Sequence, residues 1–387
     1  MTEHSVSGVP HRRLSSFYFF YFALLGCVAP FWGLFLQQRQ FSAGQIGTLM
    51  ASLAVVRVIA PNLWAWWAGY FSSPIIMVRV AGLLTALCFS LVWLVDSFSG
   101  MLLVMLAYGF FWAAMLPQYE AITMQALKNR IDEYSRIRLW GSVGFIVIVL
   151  LLGLLFDVVS VGWLPLVMLL TMLLIVLNSL LFRAADYRRG SHVSSQRSFL
   201  KEACQRPVVV FILISILLQI SHGAYYTFFS IYLQDNGYNK TETGLLWSLG
   251  VFAEVILFWQ FYRVMAKLSW RNWIVLSLLL TAIRWWLIAT YVGQWLWLVV
   301  AQLFHAFSFG VMHAVAMRYV QNYFSPGSQA RGQALYSSIG FGLGSALGAA
   351  ASGQLWQATS GSLVFLCSAI VAMVALLLTL TGLRDHE

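Results

Sequence analysis

Leu139-Trp140-Gly141-Ser142-Val143-Gly144-Phe145 is followed 196 residues later by Leu335-Tyr336-Ser337-Ser338-Ile339-Gly340-Phe341, the same pattern of apolar, aromatic and small residues. A second repeat has almost the same offset. Phe35-Leu36-Gln37, Phe41, Gly47 and Leu49 return 197 residues on as Tyr232-Leu233-Gln234, Tyr238, Gly244 and Leu246. Two nearly equal offsets at separate places imply a duplicated unit of about 200 residues. Both copies sit inside long apolar runs, so the duplicated unit is a membrane bundle of the kind that builds two faces around a central site.

Composition supports this reading. Of 387 residues, 60% are hydrophobic and only 9% are charged, with a mean hydropathy of +0.79. A water-soluble domain carries roughly 25% charged residues, so lipid must cover much of this surface. Crossing a core of about 30 Å takes roughly 20 helical residues. The apolar runs predict twelve spans, near 14–37, 44–68, 75–95, 101–124, 138–156, 163–182, 207–233, 243–265, 272–291, 295–320, 333–356 and 362–383. They are read as helices because backbone facing lipid must satisfy its hydrogen bonds within the segment. A barrel would show alternating ten-residue segments instead. The fold class is therefore an all-α membrane protein, with twelve transmembrane helices in two pseudo-symmetric six-helix bundles.

The formal charge of +10 is a topological signal, not a nucleic-acid footprint. With the N-terminus inside, eighteen of the 23 basic residues fall in cytoplasmic segments, and only Arg39 and Lys240 lie opposite. Lys and Arg resist translocation, so both termini are expected in the cytoplasm of a bacterial inner membrane. The longest polar stretch, 184–206, holds Arg188, Arg189, Arg197 and Lys201. It divides an N-terminal bundle (1–183) from a C-terminal bundle (207–387). Cys27, Cys88, Cys204 and Cys367 are scattered, which predicts neither a disulfide nor a metal site. Leu24-Leu25-Gly26-Cys27 superficially resembles a lipoprotein cleavage box, but the apolar segment continues through Pro30-Phe31-Trp32 as a span would.

The remaining three basic residues, Arg57, Arg284 and Arg318, lie inside predicted spans, together with Glu120 and Glu254; His222, His305 and His313 are nearby. A charge at mid-membrane costs roughly 2.5–3.5 kcal/mol on the lenient scale. These side chains should therefore face an aqueous cavity or one another. Arg57 and Glu254 are 197 residues apart, at equivalent places in the second and eighth spans. Gly340, Gly344 and Gly348 give the eleventh span a small-residue face that would serve either static packing or sliding.

Glu120-Ala121 followed by Arg136-Ile137-Arg138-Leu139-Trp140-Gly141-Ser142-Val143-Gly144-Phe145 resembles the fourth-to-fifth helix region of lactose permease, in the major facilitator superfamily. The resemblance implies that Glu120 and Arg138 bind substrate beside Phe145. It also implies that Glu254, Arg284 and His305 match the family's coupling and binding positions in helix and order. Two departures stand out. The family's proton-carrying carboxylate three residues after the tenth-helix His is Ser308 here, and the usual acidic and basic signature is absent from Gly69-Tyr70-Phe71-Ser72-Ser73-Pro74. A resemblance covering nearly the whole chain is to the 3-phenylpropionate permease group. It rests on Pro30-Phe31-Trp32, His222-Gly223-Ala224-Tyr225-Tyr226, Trp247-Ser248-Leu249-Gly250-Val251, Ala253-Glu254-Val255, Arg284-Trp285 and Ala316-Met317-Arg318-Tyr319.

The resemblance implies proton-coupled uptake of an aromatic acid by alternating access, driven by the proton gradient and needing no cofactor or metal. Charge agrees: with Arg138 counted, four arginines face two glutamates, and a carboxylate substrate would offset the surplus through a bidentate guanidinium contact. The expected substrate contacts are Glu120, Arg138, Phe145, Arg284, Trp32, Tyr225 and Tyr226. The expected coupling residues are Glu254, His305, Arg57 and Arg318. A proton-coupled sugar or nucleoside permease is the alternative. An enzyme is disfavoured because no acid within sequence reach orients His305 toward Ser308. A sensor is disfavoured because the roughly 20-residue linker leaves no room for an output domain. A monomer is expected.

Overall fold

A computed structural model of the chain describes residues 10–127, 130–183, 196–260, 263 and 266–383. It contains twelve helices long and apolar enough to cross a membrane: α1 (His11–Gln38), α2 (Ala43–Tyr70), α3 (Pro74–Trp93), α4 (Phe98–Leu127), α5 (Tyr134–Val158), α6 (Val161–Ser179), α7 (Arg206–Asp235), α8 (Lys240–Trp259), α9 (Trp270–Tyr291), α10 (Trp295–Tyr323), α11 (Gln329–Ala358) and α12 (Gly361–Gly382). The span expected over 243–265 ends at Trp259, and residues 261, 262, 264 and 265 lie outside the described residues. So do 1–9, Lys128, Arg384 and the 184–195 part of the linker with Arg188 and Arg189. The rest of the linker is not merely polar chain. Gln196–Ala203 forms a short helix, and its Phe199 ring stacks at 5.8 Å on Phe324, beyond the end of α10.

In the first six helices α1 packs on α5 and α6, α3 on α4 and α6, and α2 on α4. In the second six α7 packs on α11 and α12, α9 on α10 and α12, and α8 on α10. Each pairing is the first set moved on by six helices, so the halves share one internal architecture.

The hairpin joining the first two helices of each half shows how the repeat is written locally. Phe41 N–H donates to Leu36 O at 3.2 Å and Gln40 N–H to Gln37 O at 2.9 Å. Tyr238 N–H donates to Leu233 O and Gly237 N–H to Gln234 O, both at 3.1 Å. This two-bond helix ending needs one left-handed residue, supplied by Gln40 (φ 62°) and Gly237 (φ 88°). Glycine adopts that conformation without steric penalty, whereas for glutamine it costs roughly 1–2 kcal/mol. The following helix opens in both halves with a capping box, Ser42 with Gln45 and Asn239 with Glu242. The box satisfies otherwise orphaned N–H groups at the helix start. The left-handed residues and the caps both repeat at an offset of 197.

The halves meet along α2–α11 and α5–α8, with α1 beside α7. The seam is tightest at the face remote from the termini. A Cβ on Gly47 would lie 2.7 Å from Ala349 O and from Gly353 Cα, so only glycine permits that approach. Asp157, near the end of α5, accepts from the backbone N–H of Lys240 (2.8 Å) and Thr241 (3.0 Å) at the start of α8. Gln357, near the end of α11, accepts from Gly44 N–H (3.0 Å) at the start of α2. An acceptor placed on a helix N-terminus gains from the helix dipole. Toward the terminal face, the first turns of α11 (Gln329–Leu335) pack instead on α10 and on the linker helix of their own half. The small-residue face of α11 is occupied too. A Cβ on Gly340, Gly344 or Gly348 would meet Ser215, Gln219 or Ile220, all on α7, so this face packs within the second half.

Candidate functional site

The core of the second half is split in two. One apolar cluster continues from the first half into Tyr225, Trp247, Trp285 and Leu298, and another gathers Leu257, Leu278, Ala306 and Val315. Between them lies a polar layer built on Arg284 of α9, Gln302, His305 and Ser308 of α10, and Glu254 of α8.

Arg284 is fully buried. Its Nη1 donates to Ser308 Oγ at 3.1 Å and its Nη2 to Gln302 Oε1 at 3.3 Å, while Nε has no hydrogen-bond partner. The guanidinium carbon lies 4.2 Å from the centre of the Tyr225 ring and 4.4 Å from that of Trp285, within cation–π range. Tyr225 OH donates to Gln302 Oε1 (2.9 Å), and Trp285 Nε1 to Ser221 Oγ (3.2 Å). Ser308 OH donates onward to His305 O (3.2 Å). Glu254 Oε1 is 3.8 Å from His305 Nε2. Gln302 Nε2, His305 Nδ1, His222 Nε2 and Glu254 Oε1 are buried without hydrogen-bond partners. A layer left this unsatisfied is poised for a polar ligand or for ordered water.

α10 leaves regular α-geometry here, with a π-helical segment at Ala306–Val311. A wide turn of this type inserts an extra residue and re-aims the side chains around it, a frequent feature of functional sites. Ser308 lies within this segment and His305 immediately before it.

The first half arranges its charges differently. The Arg138 guanidinium lies 4.0 Å from the Phe22 ring centre and 5.5 Å from that of Tyr18. Arg57 lies 5.5 Å from Trp112, whose ring contacts Tyr21 at 5.8 Å. Arg57 is exposed, and Glu120 and Arg138 are partly buried. Among the described residues, Glu120 and Arg138 form no ion pair within 4 Å.

A family model described as MFS_1 like matches residues 11–367, from α1 into α12. The chain belongs to the MFS_1-like family. It is 32% identical over 371 residues to a probable 3-phenylpropionic acid transporter of Escherichia coli (strain K12), covering 95% of this chain and 96% of that relative. It is 25% identical to maltose permease of Geobacillus stearothermophilus, covering 94% and 92% of the two chains. In fold it matches the solved structure of the nucleoside transporter NupG with a TM-score of 0.85 at 19% identity, over 97% of this chain and 99% of that one. Family and fold together make it a transporter of the major facilitator type, a multi-pass membrane protein and not an enzyme.

Within this transporter, the residues expected at the site divide into three groups. Arg284, Glu254, His305, Tyr225 and Tyr226 come together. Tyr226 reaches the layer through its ring contacts with His222 (5.9 Å) and Tyr225 (5.3 Å). Arg57, Glu120 and Arg138 sit on the first half, but Arg138 is close enough to Glu254, and Arg57 to Tyr226, to interact with them electrostatically across the two halves. Trp32, Phe145 and Arg318 are placed elsewhere. Trp32 is fully buried in the first half, donating to Met105 Sδ at 3.4 Å and stacking on Phe35 at 4.8 Å; packing between α1 and α4 claims its ring. Phe145 is buried within the apolar cluster that runs from the first half into the second. Arg318 is 13 residues beyond His305 on α10, about 20 Å at 1.5 Å per residue, which removes it from the Glu254–His305 pair. Sequence reasoning missed Gln302 and the aromatic wall of Trp247. The signal available for Gln302 was a neutral amide within an apolar span.

Proposed function

We propose that the transporter carries a small aromatic carboxylic acid together with a proton, through a site centred on Arg284. The observation that carries this reading is a fully buried guanidinium whose hydrogen-bond acceptors are a serine hydroxyl and a glutamine amide. An unpaired buried ion costs several kcal/mol, and a substrate carboxylate supplies the missing charge with paired hydrogen bonds. Tyr226, partly exposed and backed by the rings of Tyr225 and Trp247, offers a flat apolar face for an aryl group. The similarity to a probable 3-phenylpropionic acid transporter supports the same class of cargo.

Ser308 occupies the position where the lactose permease resemblance implies a carboxylate, and it cannot carry a proton. Glu254 is the carboxylate of the layer, with His305 at 3.8 Å. In the proposed cycle Glu254 takes a proton before the substrate anion binds at Arg284, the halves rock about the α2–α11 and α5–α8 seam, and both leave at the other face. The charge asymmetry of the sequence puts both termini in the cytoplasm of a bacterial inner membrane, so the seam holding the remote face shut corresponds to an inward-facing state.

The test is uptake into proteoliposomes under an imposed pH gradient. Saturable uptake of 3-phenylpropionate, competed by benzoate but not by a nucleoside or a disaccharide, is expected. A second reading, a sugar or nucleoside permease, draws on Glu120, which is not ion-paired with Arg138 and can accept from ligand hydroxyls. Uptake of a nucleoside or maltose without the aromatic acid establishes it instead.

A further inference from the structure

A cavity of about 290 Å³ opens at the face of the second half that carries the termini, well away from the Arg284 layer. Arg206, Trp270, Arg271, Arg318, Tyr319 and Leu383 are among the residues lining it, and among the described residues its lining includes three arginines and no carboxylate. Arg206 is the first residue of α7, and Trp270 and Arg271 open α9, while the C-terminal ends of α10 and α12 also reach the cavity, so its positive charge comes from the arginines and not from the helix dipoles. Arg271 donates to Leu383 O (2.9 Å) and Leu380 O (3.1 Å) at the end of α12. Arg318 lies 5.8 Å from the centre of the Trp270 ring. The buried Tyr319 hydroxyl lies beside Tyr323, whose ring stacks on that of Tyr319 at 4.5 Å. The acidic side chain on the adjoining linker helix, Glu202, accepts from Ser325 N–H at 3.4 Å.

The surroundings are those of a membrane surface. The cavity is framed by the ends of α7, α9, α10 and α12, with Trp270, Tyr319 and Tyr323 at the level where aromatic side chains mark the interface. Its floor is apolar, with Ile274, Val315 and Leu383. Large exposed leucines on α12, Leu377 and Leu380, lead along the helix to its rim. A free phosphate uses only the arginines. A phospholipid uses both parts, the phosphate against Arg206 and Arg318 and the first acyl methylenes against the floor.

We propose that this basin is a binding site for the phosphodiester headgroup of an anionic phospholipid. Basic pockets between helix ends are suited to such headgroups.

The test uses the full-length protein in nanodiscs and native mass spectrometry. Phosphatidylglycerol should be retained in preference to phosphatidylcholine, and the Arg206→Gln/Arg318→Gln double variant should weaken that preference by about tenfold or more. Tyr319→Phe removes one oxygen only and should lower the preference by a few-fold, giving a readout even if the double variant folds poorly. Inorganic phosphate should neither bind measurably nor displace the lipid. Equal retention of the two lipids by the native protein overturns the proposal, as does an undiminished preference in the folded variants. Phosphate competing on equal terms overturns the lipid assignment.

Discussion

The two halves have the same helix pairings, the same hairpin endings and the same capping boxes, but they hold their charges in opposite ways. In the first half Arg57 is exposed, and Glu120 and Arg138 are only partly buried. In the second half Arg284 is at 0% exposure and touches only neutral acceptors. The duplicated heptapeptide diverges as well. Its first copy lies in the regular α5 helix, whereas its second falls in a π-helical stretch, Tyr336–Leu343, of α11. An exposed charge such as Arg57 contributes little on being paired. A desolvated one interacts strongly with whatever reaches it. Duplication thus preserved the scaffold, and divergence placed the fully buried arginine in the second half.

Four experiments sharpen or break this contrast. The largest effect is expected for Arg284→Gln, which should reduce 3-phenylpropionate uptake by at least about a hundredfold, since two hydrogen bonds to a charged group contribute roughly 1.5–3 kcal/mol each. Arg138→Gln should cost only about fivefold, as expected for a partly exposed charge. Initial uptake rates in proteoliposomes check both, and equal losses abolish the contrast. Next is Glu254→Gln, which should retain counterflow exchange but lose accumulation, worth about tenfold per unit of imposed pH gradient. Normal gradient-driven accumulation in the variant removes Glu254 from the proton path. Ser308→Asp places a carboxylate against Arg284 and should weaken binding of the aromatic acid by roughly tenfold, because an internal partner now competes with the substrate. Tighter binding by calorimetry argues that Arg284 does not receive the anion. The smallest effect concerns the hairpins. Gln40→Gly gives the first half the left-handed glycine that Gly237 gives the second, and should stabilise the protein by up to about 1 kcal/mol. A lower melting temperature shows that the Gln40 side chain contributes more than its backbone strain removes.

Much of the architecture was legible in the sequence. Span length, hydropathy and the offsets of 196 and 197 depend only on local composition and repetition, and the structure reproduces twelve long apolar helices. The charged members of the layer, Arg284, Glu254 and His305, were legible because a buried charge is costly wherever it lies along a span. Gln302 and Ser221 carry no charge and leave almost no such signal. Trp32 shows the converse. In a chain with 16% aromatic residues, only packing decides whether a ring faces a cavity or a neighbouring helix. Arg318 lay inside a predicted span, but span membership gives no depth, and α10 carries it to the rim. The π-helical segments were not legible because the glycines they contain, Gly310, Gly340 and Gly342, do not by themselves specify a wide turn within a span.

The central claim is that the buried Arg284 guanidinium recognises the charge of the substrate. Calorimetric binding of 3-phenylpropionate and of its uncharged amide, each to the native protein and to Arg284→Gln, tests it most directly. The account predicts that the native protein prefers the acid by about a hundredfold and that the variant binds acid and amide alike. A preference that survives in the variant, or a native protein indifferent to the charge, contradicts it.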